Sequence, residues 1–294
     1  MAQYSELKGK VALVTGAGRR KGLGEAIALR LAREGCKVVV TDIGHAKGKE
    51  MPATAVGTQS EMDAVAADIH ASAAASGNGG ACSAIAMDVL EETQVMSAID
   101  TTVARYGSLD ILVNNAGIGY LMKPIIEMSI EEWDAVLGVN LRGAFLCTKY
   151  AAIQMIKQRE AAGVAAKKGG RIVNIASQAA KSGFPFASAY CSSKHGMSGL
   201  TRVTAIEMGK YGITANAICP NHVTTGLGAW QNEYFSEALG LTMEQYLNAM
   251  KSRIPLGRPG LPTDTASACA WLCSDEAQYV TGESMNVSGG EEYH

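Results

Sequence analysis

Three residues near the middle of the chain are spaced so that they can move a proton. Tyr190 and Lys194 are separated by three residues in Tyr190-Cys191-Ser192-Ser193-Lys194, and Ser177 lies thirteen residues before the tyrosine. On a helix over 188–209, positions i and i+4 lie on one face about a turn apart, so phenol and ammonium project together. A free tyrosine has a pKa of about 10, and an ammonium within hydrogen-bonding reach favours its phenolate, which makes it a usable base. Ser177 ends the apolar run Arg171-Ile172-Val173-Asn174-Ile175 and is placed to hold a substrate oxygen while Tyr190 takes or gives its proton. Tyr-x-x-x-Lys alone arises by chance on many helices, where it is a half-buried tyrosine beside a solvated lysine. The surrounding elements decide between the two.

The first strand signal, 10–15, stops at Gly16 and is followed by Ala17-Gly18-Arg19-Arg20-Lys21-Gly22-Leu23-Gly24 and a helix with its apolar stripe at Ile27, Ala28 and Leu31. Strand, glycine loop and helix together seat a pyrophosphate: glycines allow close backbone approach and the helix N-terminus supplies free N–H donors. The next strand, 36–41, ends at Asp42, where a carboxylate accepts bonds from a ribose 2′-OH and repels a 2′-phosphate. NAD is therefore expected over NADP, although Arg19, Arg20 and Lys21 point the other way.

A third strand over 82–87 leads to Asp88-Val89, and a fourth over 109–113 delivers Asn114-Asn115-Ala116-Gly117. Ser129-Ile130-Glu131-Glu132 reads as a capping box. The helix it opens continues through Asn140, a poor helix former whose local cost implies a purpose. A helix extended to about 163 precedes the strand that ends at Ser177. A sixth strand over 213–218 leads into Cys219-Pro220-Asn221-His222-Val223-Thr224-Thr225. Residues 226–255 include Trp230, Tyr234, Phe235, Tyr246 and Met250 and read as an apolar pocket cover. A helix over 264–273 and a last strand within 280–290 close the chain. Residues 44–60 have little periodicity and read as an insertion.

Alternating strands and helices predict a doubly wound α/β fold, a parallel sheet of about seven strands with helices on both faces, in one domain over 1–294. Twenty-six basic against twenty-eight acidic residues give a net charge of −2, which argues against a nucleic-acid partner. No apolar run is long enough for a membrane span, and the N-terminus has no apolar signal core. The seven cysteines lack Cys-x-x-Cys spacing and the five histidines lack His-Glu-x-x-His, so reduced thiols in a cytoplasmic protein without a metal site are expected.

Taken in order, these motifs resemble the short-chain dehydrogenase/reductase family, in its single-domain branch, from about Gly9 to Gly290. The resemblance implies a fourth catalytic residue, Asn140, which holds a water linking the lysine to solvent. It also implies cofactor contacts at Gly16, Gly22, Leu23, Gly24, Asp42, Asp88, Val89, Asn115, Ala116, Gly117, Tyr190, Lys194, Pro220, Val223 and Thr225. Asp88 would meet the adenine amino group; Val223 and Thr225 would meet the carboxamide. Two departures stand out. The glycine loop carries two extra residues, and Asn221 replaces a glycine, with asparagine the next best residue at positive φ. The family implies interconversion of a secondary alcohol and a ketone with a nicotinamide dinucleotide, NAD by the reading of Asp42, in a homotetramer or homodimer, and the aromatic cover over 226–255 points to a hydrophobic or cyclic substrate. The alternatives are an NADP-dependent carbonyl or 3-oxoacyl reductase and a catalytically dormant dinucleotide-binding regulator. An enoyl reductase's longer Tyr-to-Lys gap does not match the three residues here.

Overall fold

All five residues of β1 (Val11–Thr15) are buried, as in a strand with neighbours on both edges and cover on both faces. β1 pairs in parallel with β2 (Lys37–Asp42) and β4 (Ile111–Asn114). Parallel neighbours need crossovers, and helices supply them. α1 (Leu23–Arg33) joins β1 to β2, α2 (Gln59–Ser76) precedes β3 (Ala81–Ala86), and α3 (Glu92–Tyr106) precedes β4. α4 (Ile130–Leu137) and α5 (Ala144–Ala162) lead to β5 (Arg171–Ile175), and α6 (Ser188–Met208) leads to β6 (Thr214–Pro220). Then α7 (Gly226–Ala238), α8 (Met243–Arg253) and α9 (Pro262–Cys273) lead to β7 (Ser284–Val287). These elements come from a computed structural model that describes residues 3–45, 56–163 and 169–293.

The strands form one parallel sheet in the order β3-β2-β1-β4-β5-β6-β7. This is the doubly wound α/β architecture the alternation predicts. Strand residues alternate between two cores. Ala12 and Val14 share one with Ile27 and Leu31 of α1, Val65 of α2 and Leu272 of α9; Leu13 shares the other with Ile99 of α3 and Leu146 and Ala151 of α5. The strand order reverses between β1 and β4, so a crevice opens at their carboxyl ends.

Most predicted boundaries fall within two residues of the observed ones. Ser129 makes both bonds of the predicted capping box with Glu132. The last strand is shorter than the 280–290 segment that contains it. Of the insertion expected over 44–60, residues 46–55 lie outside the described residues, and α2 already begins at Gln59. Among the described residues, no helix is long and apolar enough to cross a membrane.

A buried polar ladder ties the middle of the sheet to α6. Asn114 and Asn174 are register partners on β4 and β5. The Asn114 amide donates to Asn174 Oδ1 at 2.8 Å and to Thr148 Oγ1 at 2.9 Å, and the Asn174 amide donates to Thr201 Oγ1 on α6 at 2.8 Å. Removing one member leaves buried polar atoms without partners, which costs about 1–3 kcal/mol. Asn114→Ala should therefore lower the unfolding free energy by about 1–3 kcal/mol, read as a lower urea midpoint at an unchanged denaturant slope; an unchanged midpoint would show that the ladder contributes nothing.

Candidate active site

The ladder sets the position of α6, and α6 sets the position of Tyr190 and Lys194. Lys194 is only 4% exposed, and its ammonium donates to the carbonyl of Ile175, the last residue of β5, at 2.8 Å. Its Nζ lies 5.7 Å from the centre of the Tyr190 ring. The spacing puts the ammonium within hydrogen-bonding reach of the phenol; here its hydrogen bond is made to the strand end. Ser177, two residues past that carbonyl, hydrogen-bonds the Tyr190 phenol and also accepts from the Ala179 amide at 3.1 Å.

Asn140 is fully buried in a π-helical turn, Gly138–Gly143, inserted between α4 and α5. A π turn widens the helix by a residue and recurs at functional sites. Asn140 Oδ1 accepts from the Ile118 amide at 2.7 Å, and its Nδ2 donates to the Ile118 carbonyl at 3.0 Å and to Ser193 Oγ at 3.0 Å. Ser193 Oγ in turn donates to the Tyr190 carbonyl at 2.7 Å. The helix-breaking cost of Asn140 is thus met by a bridge from the β4 exit loop to α6. Sequence reasoning missed Ser193, although its place three residues after Tyr190 puts it on the same helical face.

The crevice at the switch point fits a dinucleotide. Gly16 has φ +62°, and a Cβ there would come within 2.5 Å of Ala116 Cα. At Gly117 a Cβ would stand 3.2 Å from Asn140 Oδ1 and 3.6 Å from Lys194 Nζ, in the space a ligand needs. No side chain caps the N-terminus of α1 at Gly22, so its first N–H groups are left for a phosphate. Gly16, Gly22, Leu23, Asp42, Asp88, Val89, Asn115, Ala116, Gly117, Tyr190, Lys194 and Thr225 all line this crevice, as do Arg19 and Arg20, together with Ile43, Ile118 and Leu227, which the sequence did not single out.

Three predicted contacts fall elsewhere. Gly24 lies behind the crevice, where a Cβ would strike Ala17 Cα, Asn115 Nδ2 and the Gly16 carbonyl, each at 2.7 Å; its role is close packing of loop on helix. Pro220 and Val223 line a second, separate cavity of about 640 Å³ beneath α7 and α8. The positive φ expected at Asn221 belongs instead to His222, at 36°, so the turn is displaced by one residue. Of the basic loop residues, Arg20 lines the crevice with its guanidinium paired to Asp68 on α2 at 2.7 Å, while Arg19 reaches along the crevice from Asp42 to Gly226. Asp42 accepts from the Gly18 and Ile43 amides at 3.0 and 2.9 Å, and burial pushes its carboxyl up from the usual range.

Comparison with known proteins gives the same answer as the geometry. A family model described as short chain dehydrogenase matches residues 10–78, and one described as enoyl-(acyl carrier protein) reductase matches residues 69–292. The chain belongs to the short-chain dehydrogenase/reductase family. It is 40% identical over 293 residues to a short-chain dehydrogenase/reductase of Armillaria gallica, covering 99% of this chain and 98% of that one. It is 36% identical over 281 residues to the 3-oxoacyl-[acyl-carrier-protein] reductase FabG of Staphylococcus aureus, covering 96% and 97%. The crystal structure of levodione reductase superposes with a TM-score of 0.80 at 30% identity, over 97% of this chain and 98% of that one. This is an oxidoreductase family that binds a nicotinamide dinucleotide, and the crevice suits one.

Within this short-chain dehydrogenase/reductase, the buried ammonium carries an electrostatic cost. Burial lowers the Lys194 pKa to about 8 and raises that of Tyr190, an effect the bond from Ser177 partly offsets. Below pH 8 the ammonium is charged in both folded and unfolded chains, and the full desolvation penalty stands, on the order of 3 kcal/mol. Between pH 8 and about 10.4 the unfolded chain keeps a proton that the folded one has shed, so stability rises with pH. Lys194→Met should therefore raise the unfolding free energy at pH 7 by about 1–3 kcal/mol, a gain that shrinks as pH passes from 8 to 10. Denaturant titrations across that range check it; a gain independent of pH would reject the buried charge as its source.

Proposed function

We propose that this protein is an NAD-dependent dehydrogenase that interconverts a secondary alcohol and a ketone, with Tyr190 as the acid–base residue. One observation carries the reading. Among the described residues, Tyr190 alone lines both the glycine-walled crevice and the aromatic cavity, so its phenol stands where a cofactor ring and a substrate would meet. A nicotinamide held in the crevice supplies the hydride acceptor when the alcohol is oxidised and the donor when the ketone is reduced.

The chain's own residues handle the proton. Tyr190 takes it from the carbinol oxygen, and Ser177, which lines the cavity, orients that oxygen and stabilises the charge that develops on it. Lys194 keeps the phenolate accessible through its field and binds the cofactor ribose with the two donors that Ile175 does not use. Asn140 and Ser193 hold α6 against the Ile118 loop, and Asn140 carries the relay water at the Lys194 end. Phe184, Phe235, Tyr246 and Met250 line the cavity, which supports a hydrophobic or cyclic substrate.

Asp42 at the end of β2 supports NAD, since its carboxylate repels a 2′-phosphate. A second reading, an NADP-dependent carbonyl or 3-oxoacyl reductase, is favoured by Arg19 beside Asp42 in the crevice. The exposed apolar residues Phe145 and Ile153 on α5 and Val203 and Ile206 on α6 support a homotetramer built through these helices. One domain over 1–294, in the cytoplasm, completes the proposal.

Tyr190→Phe should lower kcat for alcohol oxidation about 10²–10⁴-fold while NAD still binds. Turnover that survives the loss of the phenol would reject the assigned base, and no turnover in the wild type on any alcohol or ketone would favour the dormant regulator. In the wild type, kcat/KM for oxidation should climb with pH into the alkaline range, because the buried phenol must lose its proton first; ketone reduction should show the opposite slope. Asp42→Ser should shift the ratio of kcat/KM with NAD to that with NADP at least about tenfold towards NADP, and a ratio already favouring NADP in the wild type would select the second reading.

A further inference from the structure

The aromatic cavity carries a cluster of polar side chains that the hydride-transfer chemistry does not use. Glu291, from the segment after β7, brings its carboxylate to the cavity with its side chain only 11% exposed. Arg253, at the end of α8, donates Nε to its Oε1 at 2.9 Å, and Asn221 donates Nδ2 to its Oε2. His222 Nε2 lies 3.4 Å from the same Oε2. Two separate parts of the chain converge on this carboxylate, and all four residues line the cavity that Tyr190 and Ser177 also line.

His222 is held in a backbone conformation, φ 36°, that few residues other than glycine adopt, and such strain persists only where the surroundings enforce it. Here the Gly260 amide donates to the His222 carbonyl at 3.1 Å, and the turn carries the ring to Glu291. We infer that Asn221, His222, Arg253 and Glu291 form a specificity subsite for a second hydroxyl group on the substrate, so that the preferred alcohol is a hydrophobic or cyclic diol, or the matching hydroxyketone.

The chemistry of the four groups selects a hydroxyl. Burial lowers the His222 pKa, which keeps the ring neutral, and a proton on Nε2 towards Glu291 leaves Nδ1 as an acceptor. The Arg253 guanidinium has donors beyond Nε. An O–H group both donates and accepts and so satisfies both kinds of partner. A bare methylene would desolvate them without compensation, and a carboxylate would meet the charge of Glu291.

The inference rests on the cavity being the seat of the alcohol, and the test separates the two. Cyclohexanol, the 1,2-, 1,3- and 1,4-cyclohexanediols and 3-hydroxycyclohexanecarboxylate are compared by kcat/KM and by calorimetric binding to the wild type, His222→Gly and Glu291→Gln. Glycine accepts φ 36° freely, so His222→Gly removes the ring without straining the turn. At least one diol should exceed cyclohexanol at least about tenfold in the wild type, a preference that falls to within about threefold in His222→Gly and drops severalfold in Glu291→Gln. Equal handling of cyclohexanol and every diol, a preference unchanged in both variants, or a preference for the carboxylate over all diols would overturn the subsite. A protein that binds diols through His222 but transfers no hydride would defeat the dehydrogenase reading and leave the subsite standing.

Discussion

The position of α6 relative to β5 is the constraint on which the rest of the site depends. Two interactions fix it, the Asn174–Thr201 bond in the interior and the Lys194–Ile175 bond at the strand end. Both are made by polar groups in nearly water-free surroundings, where a partner cannot be exchanged for solvent and a lost bond is costly. That cost makes the helix register specific: a slip of one residue would bury an unpaired ammonium and break the asparagine ladder at once. Apolar packing of Met197 and Ala205 would tolerate such a slip far better.

With α6 held, the remaining groups reach the crevice by close backbone approach. Gly16 lies against Ala116, so β1 and β4 splay only as far as their two exit loops allow. Asn115 closes that junction, donating to the carbonyls of Thr15 and Gly16 at 2.9 and 2.8 Å, while Thr15 Oγ1 accepts from the Asn115 and Ala116 amides at 3.0 Å each. The π turn around Asn140 then presses on the opposite side, where Gly143 meets Val89 so closely that a Cβ would stand 2.6 Å from Val89 Cγ2. Glycines and short polar side chains do this because larger residues would hold the strands and helices apart. In the loop with its two extra residues, the Arg20 guanidinium pairs with Asp68 and Lys21 takes up the turn at φ 58°.

The burial that makes the site specific also makes it costly. Lys194 holds its charge against desolvation, and the Tyr190 phenol is pushed away from the titration range in which it would be most useful as a base. Within the protein, the Ser177 bond is what counters that shift. The lysine's own hydrogen bond goes to the backbone of Ile175.

Much of this was legible in the chain itself. The continuous apolar run of β1, buried at every position, the 3.6-residue stripe of α1 and the capping box at Ser129 are local patterns, and local patterns survive into the fold because each is satisfied by its own neighbours. The spacing of Ser177, Tyr190 and Lys194 likewise reports a helical face whatever packs on it. Tertiary structure alone decided which partner each polar group takes. Lys194 bonds Ile175 rather than Tyr190, His222 rather than Asn221 adopts the positive φ, and Pro220 and Val223 face the aromatic cavity rather than the crevice. The joining of Glu291 to Asn221, seventy residues apart, also had no sequence signal. The reason is physical: sequence spacing fixes direction along one element, whereas the choice among buried partners depends on distances between elements, which are set only when the sheet and its covering helices close together.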